Sequence, residues 1–539
     1  MSSTLISRPI PRGELAGTGT LLRFALWRER FSLPCWLLGA AALLAFQSVG
    51  SQRFYDTPRK LAQLRETVSA SAAAVAMGGP TRLLTTIGGE IVFEILAYLA
   101  VVVALMNMFL VGRHTRSDEE TGRAELLRSA RVGRRAPAVA ALTLAGLADI
   151  AVVLVLFAAA VATGLPAGGS LLLGVVTGGV GVTFAAVTAV AAQIFENPRS
   201  VYGAVGLAVA AAYVARAIGD VGSGAVAWLS PIGWAQRSYP YAGDRWWTVL
   251  LFAAASVALT ASALALLDRR DFGAGLLPYG TGRATASWAL GSPLGLAWRL
   301  QRGSLAGWAL GVFALGAAYG SFTESIEDYL ADNPEIAAYL PGGAADAVNS
   351  YLSLTVSIVA LLTAAFGVAS VLRARGEEIA GRAESLLAAP VSRYRWLASH
   401  LAIALGGGAL ILAVGGFAVG LTYGLTISDF GQALRMSGVA LVYLPAVWSV
   451  IAVAVLGVGW APRAAVAVAW AAFAYCAVAL LFTAAFDLPD WFDDASPFTH
   501  LPKAPLLPVT ATPIVVILLT ASAGLLIAVA GFRRRDVGY

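Results

Sequence analysis

Charge is what this sequence has least of. Only 13% of its 539 residues are Asp, Glu, Lys or Arg, against roughly 25% in a soluble domain. Most of the surface must therefore face something other than water, which excludes a cytosolic enzyme, a disordered scaffold and a collagen-like fibre. Lysine is nearly absent: of 37 basic residues, 35 are Arg and two are Lys60 and Lys503. A phosphate-binding P-loop needs Gly before Lys, so that backbone amides and the ammonium cradle the phosphates together. Lys60 follows Arg59 and Lys503 follows Pro502, so no Walker A motif exists and the chain is not expected to be an enzyme by itself. HExxH and GxSxG are missing too. The two cysteines, Cys35 and Cys476, sit in apolar runs, which excludes a disulfide-stapled domain and reads as two small buried hydrophobes. His114, His400 and His500 lie at loop edges without metal-ligand spacing, and no metal site is assigned. With so much Ala and Gly, the Arg excess reads as GC-rich coding rather than a nucleic-acid surface.

What the sequence has in abundance is apolar length: 58% of residues are hydrophobic and the mean hydropathy is +0.75. A membrane helix needs about 20 apolar residues to cross ~30 Å of hydrocarbon. Twelve such runs are legible, near 31–49, 91–112, 138–163, 170–195, 200–219 and 247–267, then 304–321, 351–372, 397–424, 433–460, 465–486 and 513–532. Backbone in lipid must bond internally, and these continuous runs lack the in–out alternation of a barrel. The expected fold is an all-α polytopic membrane protein of about 12 helices. With the N-terminus inside, 27 basic residues fall on the cytoplasmic side and 10 outside, so both termini are expected in the cytoplasm of a cell with this chain in its plasma membrane. Acidic residues run the other way: Glu324, Glu327, Asp328, Asp332, Glu335 and Asp346 share one outer loop. No cleavable signal peptide is apparent, since the first apolar run begins only after ~30 residues.

The chain is written twice. RSDEETGRAELL (116–127) matches RGEEIAGRAESLL (375–387), and RFSLPCWLLG (30–39) matches RGSLAGWALG (302–311). LSPIGW (229–234) matches ASPFTH (495–500), and LLDRRDFG (266–273) matches GFRRRDVG (531–538). The four pairs occur in one order, each at the same place in a six-span half. Residues 1–272 and 294–539 are therefore expected to be parallel repeats about a pseudo-twofold axis, enclosing a central path, with 273–293 as the linker.

The doubled segments 116–128 and 375–387 read as short cytoplasmic helices. Glu119 to Arg123 and Glu378 to Arg382 have the favourable i,i+4 order, and Asp118 and Glu377 suit a helix N-terminal end. A solvated loop helix is one reading. A knob docked in a cleft of a cytoplasmic partner is the other, and duplication favours it, because topology needs positive charge rather than one mixed sequence twice. Residues 21–30 and 294–302 interleave Leu, Phe and Trp with Arg, as interfacial amphipathic helices do, or as an inward extension of the next span would. The Ser–Pro-containing outer segments 226–246 and 488–512 are either a re-entrant cap or an aromatic belt. Arg216 and Asp220 read as an ion pair; Glu90 and Glu94 are i,i+4 neighbours near the outer end of span two, and Asp149, in span three, is a candidate ligand or proton site without a counterpart in the second half.

A polytopic membrane enzyme would show one polar constellation, whereas these features are doubled. A proton-coupled twelve-span carrier would show ionisable residues deep in the bundle, and these spans are almost empty of them. If no proton relay drives the chain, energy must enter from outside it.

The order of amphipathic helix, span, outer loop, span, RSDEETGRAELLRSARVGRR, four further spans and a Ser–Pro outer turn resembles the ABC-2 permease superfamily. The double-length form is similar to actinobacterial exporters of polyketide antibiotics of the tetronasin-transport type. That resemblance implies a type V exporter fold moving hydrophobic or amphipathic compounds outward, energised by two copies of a separate ATPase that hold ATP and Mg. It makes 116–128 and 375–387 coupling helices, with Asp118, Glu119, Arg123, Glu125, Glu377, Glu378, Arg382 and Glu384 as the contact residues. It makes 21–30 and 294–302 connecting helices. It also lines a cavity with spans two and five of each half, which here offer Met106, Asn107, Met108, Phe109, Tyr202, Tyr213, Phe366, Phe473, Tyr475 and Phe482. Lipid and a hydrophobic small molecule are the other expected partners, and nucleic acid is not.

Overall fold

A computed structural model describes residues 13–129, 132–271, 273–277, 284–323, 347–486 and 489–535. The outer-loop acids Glu324 to Asp346 lie outside them. The described chain is helical throughout, without a β-strand; one isolated bridge pairs Phe195 with Leu277. It divides into two compact units, Met1–Gly282 and Arg283–Tyr539.

In the first unit, α1 (Thr18–Arg28) precedes α2 (Ser32–Phe54). A loop carrying α3 (Pro58–Ala70) and α4 (Ala72–Gly78) leads to α5 (Ile87–Arg113). Two short pieces, α6 (Arg116–Glu120) and α7 (Arg123–Arg128), turn the chain into α8 (Ala136–Ala162). Then come α9 (Ala167–Ile194), α10 (Pro198–Val221), the short α11 (Pro231–Gln236) and α12 (Val249–Arg269). The central helices are α5 and α9, each 72% buried along its most apolar stretch, against 17% for the peripheral α2 and α12. Close approach of α8 and α9 depends on bare backbone: a Cβ on Gly174 would sit 2.8 Å from the Val153 carbonyl oxygen. Small residues one turn apart let membrane helices pack at this distance, where lipid supplies no hydrophobic drive.

The loop before α5 is braced. Arg216 of α10, fully buried, donates from both Nη atoms to the Met77 carbonyl (3.3 and 3.2 Å), and Gln236 of α11 donates to that of Gly78 (2.5 Å). These bonds satisfy the last carbonyls of α4, which the helix leaves open. Asp220 lies 3.6 Å from Arg216 and 3.1 Å from Arg237, the structural ion pair the i,i+4 spacing predicts. The segment around Ser230–Pro231 folds as short helices packed on α5, α9 and α10, with Ile232 and Gln236 buried and Leu229 and Trp246 exposed.

The second unit begins with α13 (Pro293–Gly320) and continues with α14 (Ala347–Ile379), α15 (Arg382–Leu387) and α16 (Arg393–Thr426). There follow α17 (Gly431–Leu441), α18 (Leu444–Trp460), α19 (Ala465–Phe486), α20 (Asp490–Asp494) and α21 (Ala511–Arg534). Its core gathers α14, α16 and α18 around residues such as Phe366, Trp396, Tyr443 and Ile451.

Among the described residues, ten helices are long and apolar enough to cross a membrane, or eleven if α17 and α18 count as one span bent by 41°. Twelve runs were expected. The bend falls where Pro445 enters the first turn of α18, since proline has no N–H to give and its ring clashes with the preceding turn. The remaining run is helical as α19, but its apolar stretch, Ala465–Leu481, is shorter. The chain is thus an all-α, multi-pass membrane protein. Residues 294–302 are the opening turns of α13 and not a separate interfacial helix. In the first half, Pro34 forces the break between α1 and α2; Ala306 stands at its matching place and lets α13 run through. Cys476 is buried, but Cys35 is exposed on α2, correcting its expected burial.

Candidate functional site

The turn after α5 is built from charge. Arg116, 1% exposed, donates from Nε to the Ala192 carbonyl (2.5 Å), and from Nη2 to that of Ala274 (2.7 Å). Its Nη1 reaches the Gly273 carbonyl (3.3 Å) and Glu119 Oε2 (2.7 Å). Glu119 is bound a second time by Arg270, just past α12, at 2.6 and 3.1 Å. Arg270 also donates from Nε to Gln193 Oε1 (2.6 Å). The result is an Arg–Glu–Arg cluster joining the α5–α8 turn to the ends of α9 and α12.

The second unit repeats it. Arg375 donates to Glu378 (2.8 Å) and to the Pro462 carbonyl (3.1 Å), while Arg535, just past α21, donates to the other Glu378 oxygen (2.6 Å). Arg116 with Arg375, Glu119 with Glu378 and Arg270 with Arg535 occupy matching positions of the repeated sequences. Arg134 and Arg393 donate to the Arg270 and Arg535 carbonyls respectively, at 2.7 and 3.0 Å.

The expected i,i+4 pairs do not form. Gly122 (φ 72°) and Gly381 (φ 70°) turn the backbone into the left-handed region and break each segment in two. Arg123 and Arg382 therefore do not follow their acids by one helical turn. Arg382 bonds Glu377 (2.7 and 3.2 Å), and Arg123 lies 3.5 Å from Asp118. Beyond each glycine the tip is exposed: Arg123, Glu125 and Leu126 in one, Arg382, Glu384 and Ser385 in the other, with Ile379 just before it. Glu120 is exposed as well.

In the first unit, α1 is pinned to the same turn. Arg28 donates to both oxygens of Asp118 (3.1 and 2.9 Å), Arg113 to both of Glu29 (2.8 and 3.0 Å), and His114 Nε2 lies 3.0 Å from Glu29 Oε1. Burial would push the Glu29 carboxyl up, but the His114 hydrogen bond and the Arg113 and His114 charges outweigh it and hold it below its ordinary value. A carboxyl depressed on folding adds stability that is present above its unfolded pKa, about 4.5, and is lost as pH falls through the folded one. Glu29→Gln should therefore lower the melting temperature at pH 7 and lose less than the parent between pH 5 and 3; parallel curves for the two would refute this. Gln301 stands at the matching place in the second half and bonds Ser370 and His400 instead, so this link is one-sided.

The residues expected to line a cavity are scattered. Met106, Asn107 and Phe366 are buried; Phe366 packs on Trp308, and Asn107 donates to Asp149 Oδ1 (2.8 Å). Tyr213 leans toward the Met77 carbonyl (3.4 Å) under Arg216. Phe473 packs on Trp470, and Tyr475 donates to the Phe492 carbonyl. The Phe482 side chain lies outside the described residues. Phe109 and Tyr202 come together, with ring centroids 5.5 Å apart and Trp36 stacked 6.4 Å beyond. The Tyr202 hydroxyl lies 3.1 Å from Ser117 Oγ, joining this aromatic group to the α5–α8 turn. Among the described residues no group of His, Cys, Asp or Glu could hold a metal.

Residue-level reading missed Arg116, Arg270, Arg375 and Arg535. Their signal was present in the matched arginine runs at 266–273 and 531–538, which spacing alone could not pair with a turn about 150 residues away.

A multi-pass helical bundle whose polar features are doubled, and gathered at turns instead of around one reactive centre, is built as a permease. The chain is 38% identical, over 549 residues covering 100% of both proteins, to the multidrug efflux system permease protein Rv1217c of Mycobacterium tuberculosis (strain ATCC 25618 / H37Rv). The family described as multidrug efflux system permease Rv1217c, C-terminal domain, matches residues 290–533. The chain belongs to this multidrug efflux permease family, and is a transporter rather than an enzyme.

Proposed function

We propose that this chain is the membrane subunit of an ATP-driven exporter of the ABC-2, type V kind, moving amphipathic, polyketide-like compounds out across the bacterial plasma membrane. Two copies of a separate ATPase, holding ATP and Mg, dock on the exposed tips of 116–128 and 375–387, which face the cytoplasm with both termini. The observation that supports this best is the division within each segment. Its inner acids are tied into its own half, and its tip is exposed, as in a lever anchored at the base. ATP-driven closure of the ATPase pair moves the two tips together and rocks the six-span halves, 1–272 and 294–539, about their pseudo-twofold axis, with 273–293 as the linker between them. Energy passes only through contacts that differ between the two states, so the anchored base is required. Phe109, Tyr202 and Trp36 offer an aromatic surface suited to adaptable, apolar cargo, and Tyr202 connects it to the first lever through Ser117.

The competing reading is a proton-coupled carrier, whose footholds are the buried acids Asp149 and Glu90: Asp149 Oδ2 and Glu90 Oε2 are buried without a hydrogen-bond partner, as is the Asn107 Oδ1 beside Asp149. Efflux from cells in which the proton gradient is collapsed and ATP maintained separates the two. Continued efflux, with an ATPase recovered on the purified chain, is the expected result. Efflux that stops with the gradient would establish the carrier instead.

A further inference from the structure

We propose that Glu119 and Glu378 are positioning residues, fastening each coupling segment to the last helix of its own half, so that the stroke reaches α12 and α21 as well as α5 and α14. This rests on the coupling role proposed above and changes what the two acids are for: they serve the inside of the protein, not the partner.

Packing alone sets α6 against α5 and α10. The link to α12 is made by side chains. Glu119 takes two hydrogen bonds from Arg270, and Arg116 reaches past α12 to Ala274. Beside them lies a cavity of about 180 Å³, walled in part by Asp118, Glu119, Gln193 and Arg270. In the second unit, Glu378 is 4% and Arg375 8% exposed, and Arg535 closes the cluster from the end of α21.

Buried ion pairs are a poor way to add stability, because desolvation offsets most of the Coulombic gain and apolar packing would serve as well. What they supply is a directional, geometrically specific link, here bidentate on Glu119. One such cluster could be incidental. Two of them join matching residues in halves that have diverged elsewhere, even replacing Asn107 by Phe366 and Glu29 by Gln301 at matching positions. A second strut runs parallel in each: Arg134 and Arg393, both twelve residues beyond the left-handed glycine, donate to the carbonyls of the same two latch arginines. The clusters tie the turn to the final helix at both its side chain and its backbone.

The test is a double-mutant cycle on the full chain with its co-purified ATPase, reconstituted in vesicles. Glu119→Gln and Arg270→Gln should each lower efflux about tenfold, and the double variant should be no worse than either, because the two act as one contact. Glu378→Gln with Arg535→Gln should behave alike. The ATPase should stay bound with basal hydrolysis intact while its stimulation by drug is lost, a split that mere destabilisation does not produce. Arg270→Lys should recover part of the efflux, and with Glu119→Asp it supplies the cycle if the glutamine variants fail to insert. Losses that multiply to about a hundredfold in the double variant, or efflux within about twofold of the parent, would overturn the latch. So would release of the ATPase by Glu119→Gln, which would make the acid a docking residue. A parent chain that carries no ATPase at all would bring down the coupling role itself, and the latch with it.

Discussion

Glu125→Arg combined with Glu384→Arg should release the ATPase and reduce efflux more than a hundredfold, with the chain still inserted and monodisperse. Both carboxylates are exposed, on tips that the left-handed Gly122 and Gly381 turn away from the anchored base. Reversing an exposed charge costs the chain itself little, within about 0.5 kcal/mol. At a docking surface the same change puts like charges against the partner's groups at both sites, and truncating or reversing interface charge pairs costs about 2–5 kcal/mol each. The measurement is the amount of ATPase retained on the purified chain, read beside drug efflux. Full retention with normal efflux would show that the tips are ordinary solvated turns. The same reversal at Glu119 and Glu378 would answer a different question. It would place a new guanidinium among Arg116 and Arg270, or among Arg375 and Arg535, and damage the fold before any partner was consulted.

Arg116→Ala should be the most destabilising single change at these turns. The guanidinium is 1% exposed and binds three backbone carbonyls as well as Glu119. Removing it strands the Ala192 carbonyl at the end of α9 and leaves Glu119 half-paired in a buried setting. Breaking a buried pair from one side costs about 3–5 kcal/mol, a fall in melting temperature on the order of 10 °C in detergent. Arg123→Ala is the matched control. That arginine is 58% exposed and 3.5 Å from Asp118, so its loss should cost under about 1 kcal/mol. Equal melting temperatures for the two variants would mean that the cluster carries no structural weight.

How much of this was legible beforehand differs by scale. The spans were, because continuous apolar runs of membrane length admit few other readings. The matched segments 21–30 and 294–302 were read alike, yet only the first stands as a separate helix: Pro34 accompanies the α1–α2 break, while Ala306 at the matching place lets α13 run on. The cavity residues were not legible. Central helices such as α5 are apolar all round, so no periodic stripe tells which face meets a neighbour. Met106, Asn107 and Phe366 were chosen by residue type, and packing buried them. The residues of the doubled segments divide: Glu125 and Glu384 are exposed, while Asp118, Glu119, Glu377 and Glu378 are tied to arginines of their own half.

Composition and repetition alone thus determined that this is a helical, multi-pass membrane protein written twice, with mixed-charge turns at matching points. Both follow from local rules: hydrocarbon demands apolar length and internal backbone bonding, and duplication leaves a visible copy. The tertiary structure alone decided which charge meets which. A carboxylate chooses its partner by distance in space, and the arginines that bind Glu119 and Glu378 from the far side arrive 151 and 157 residues later in the chain, where no local pattern could assign them.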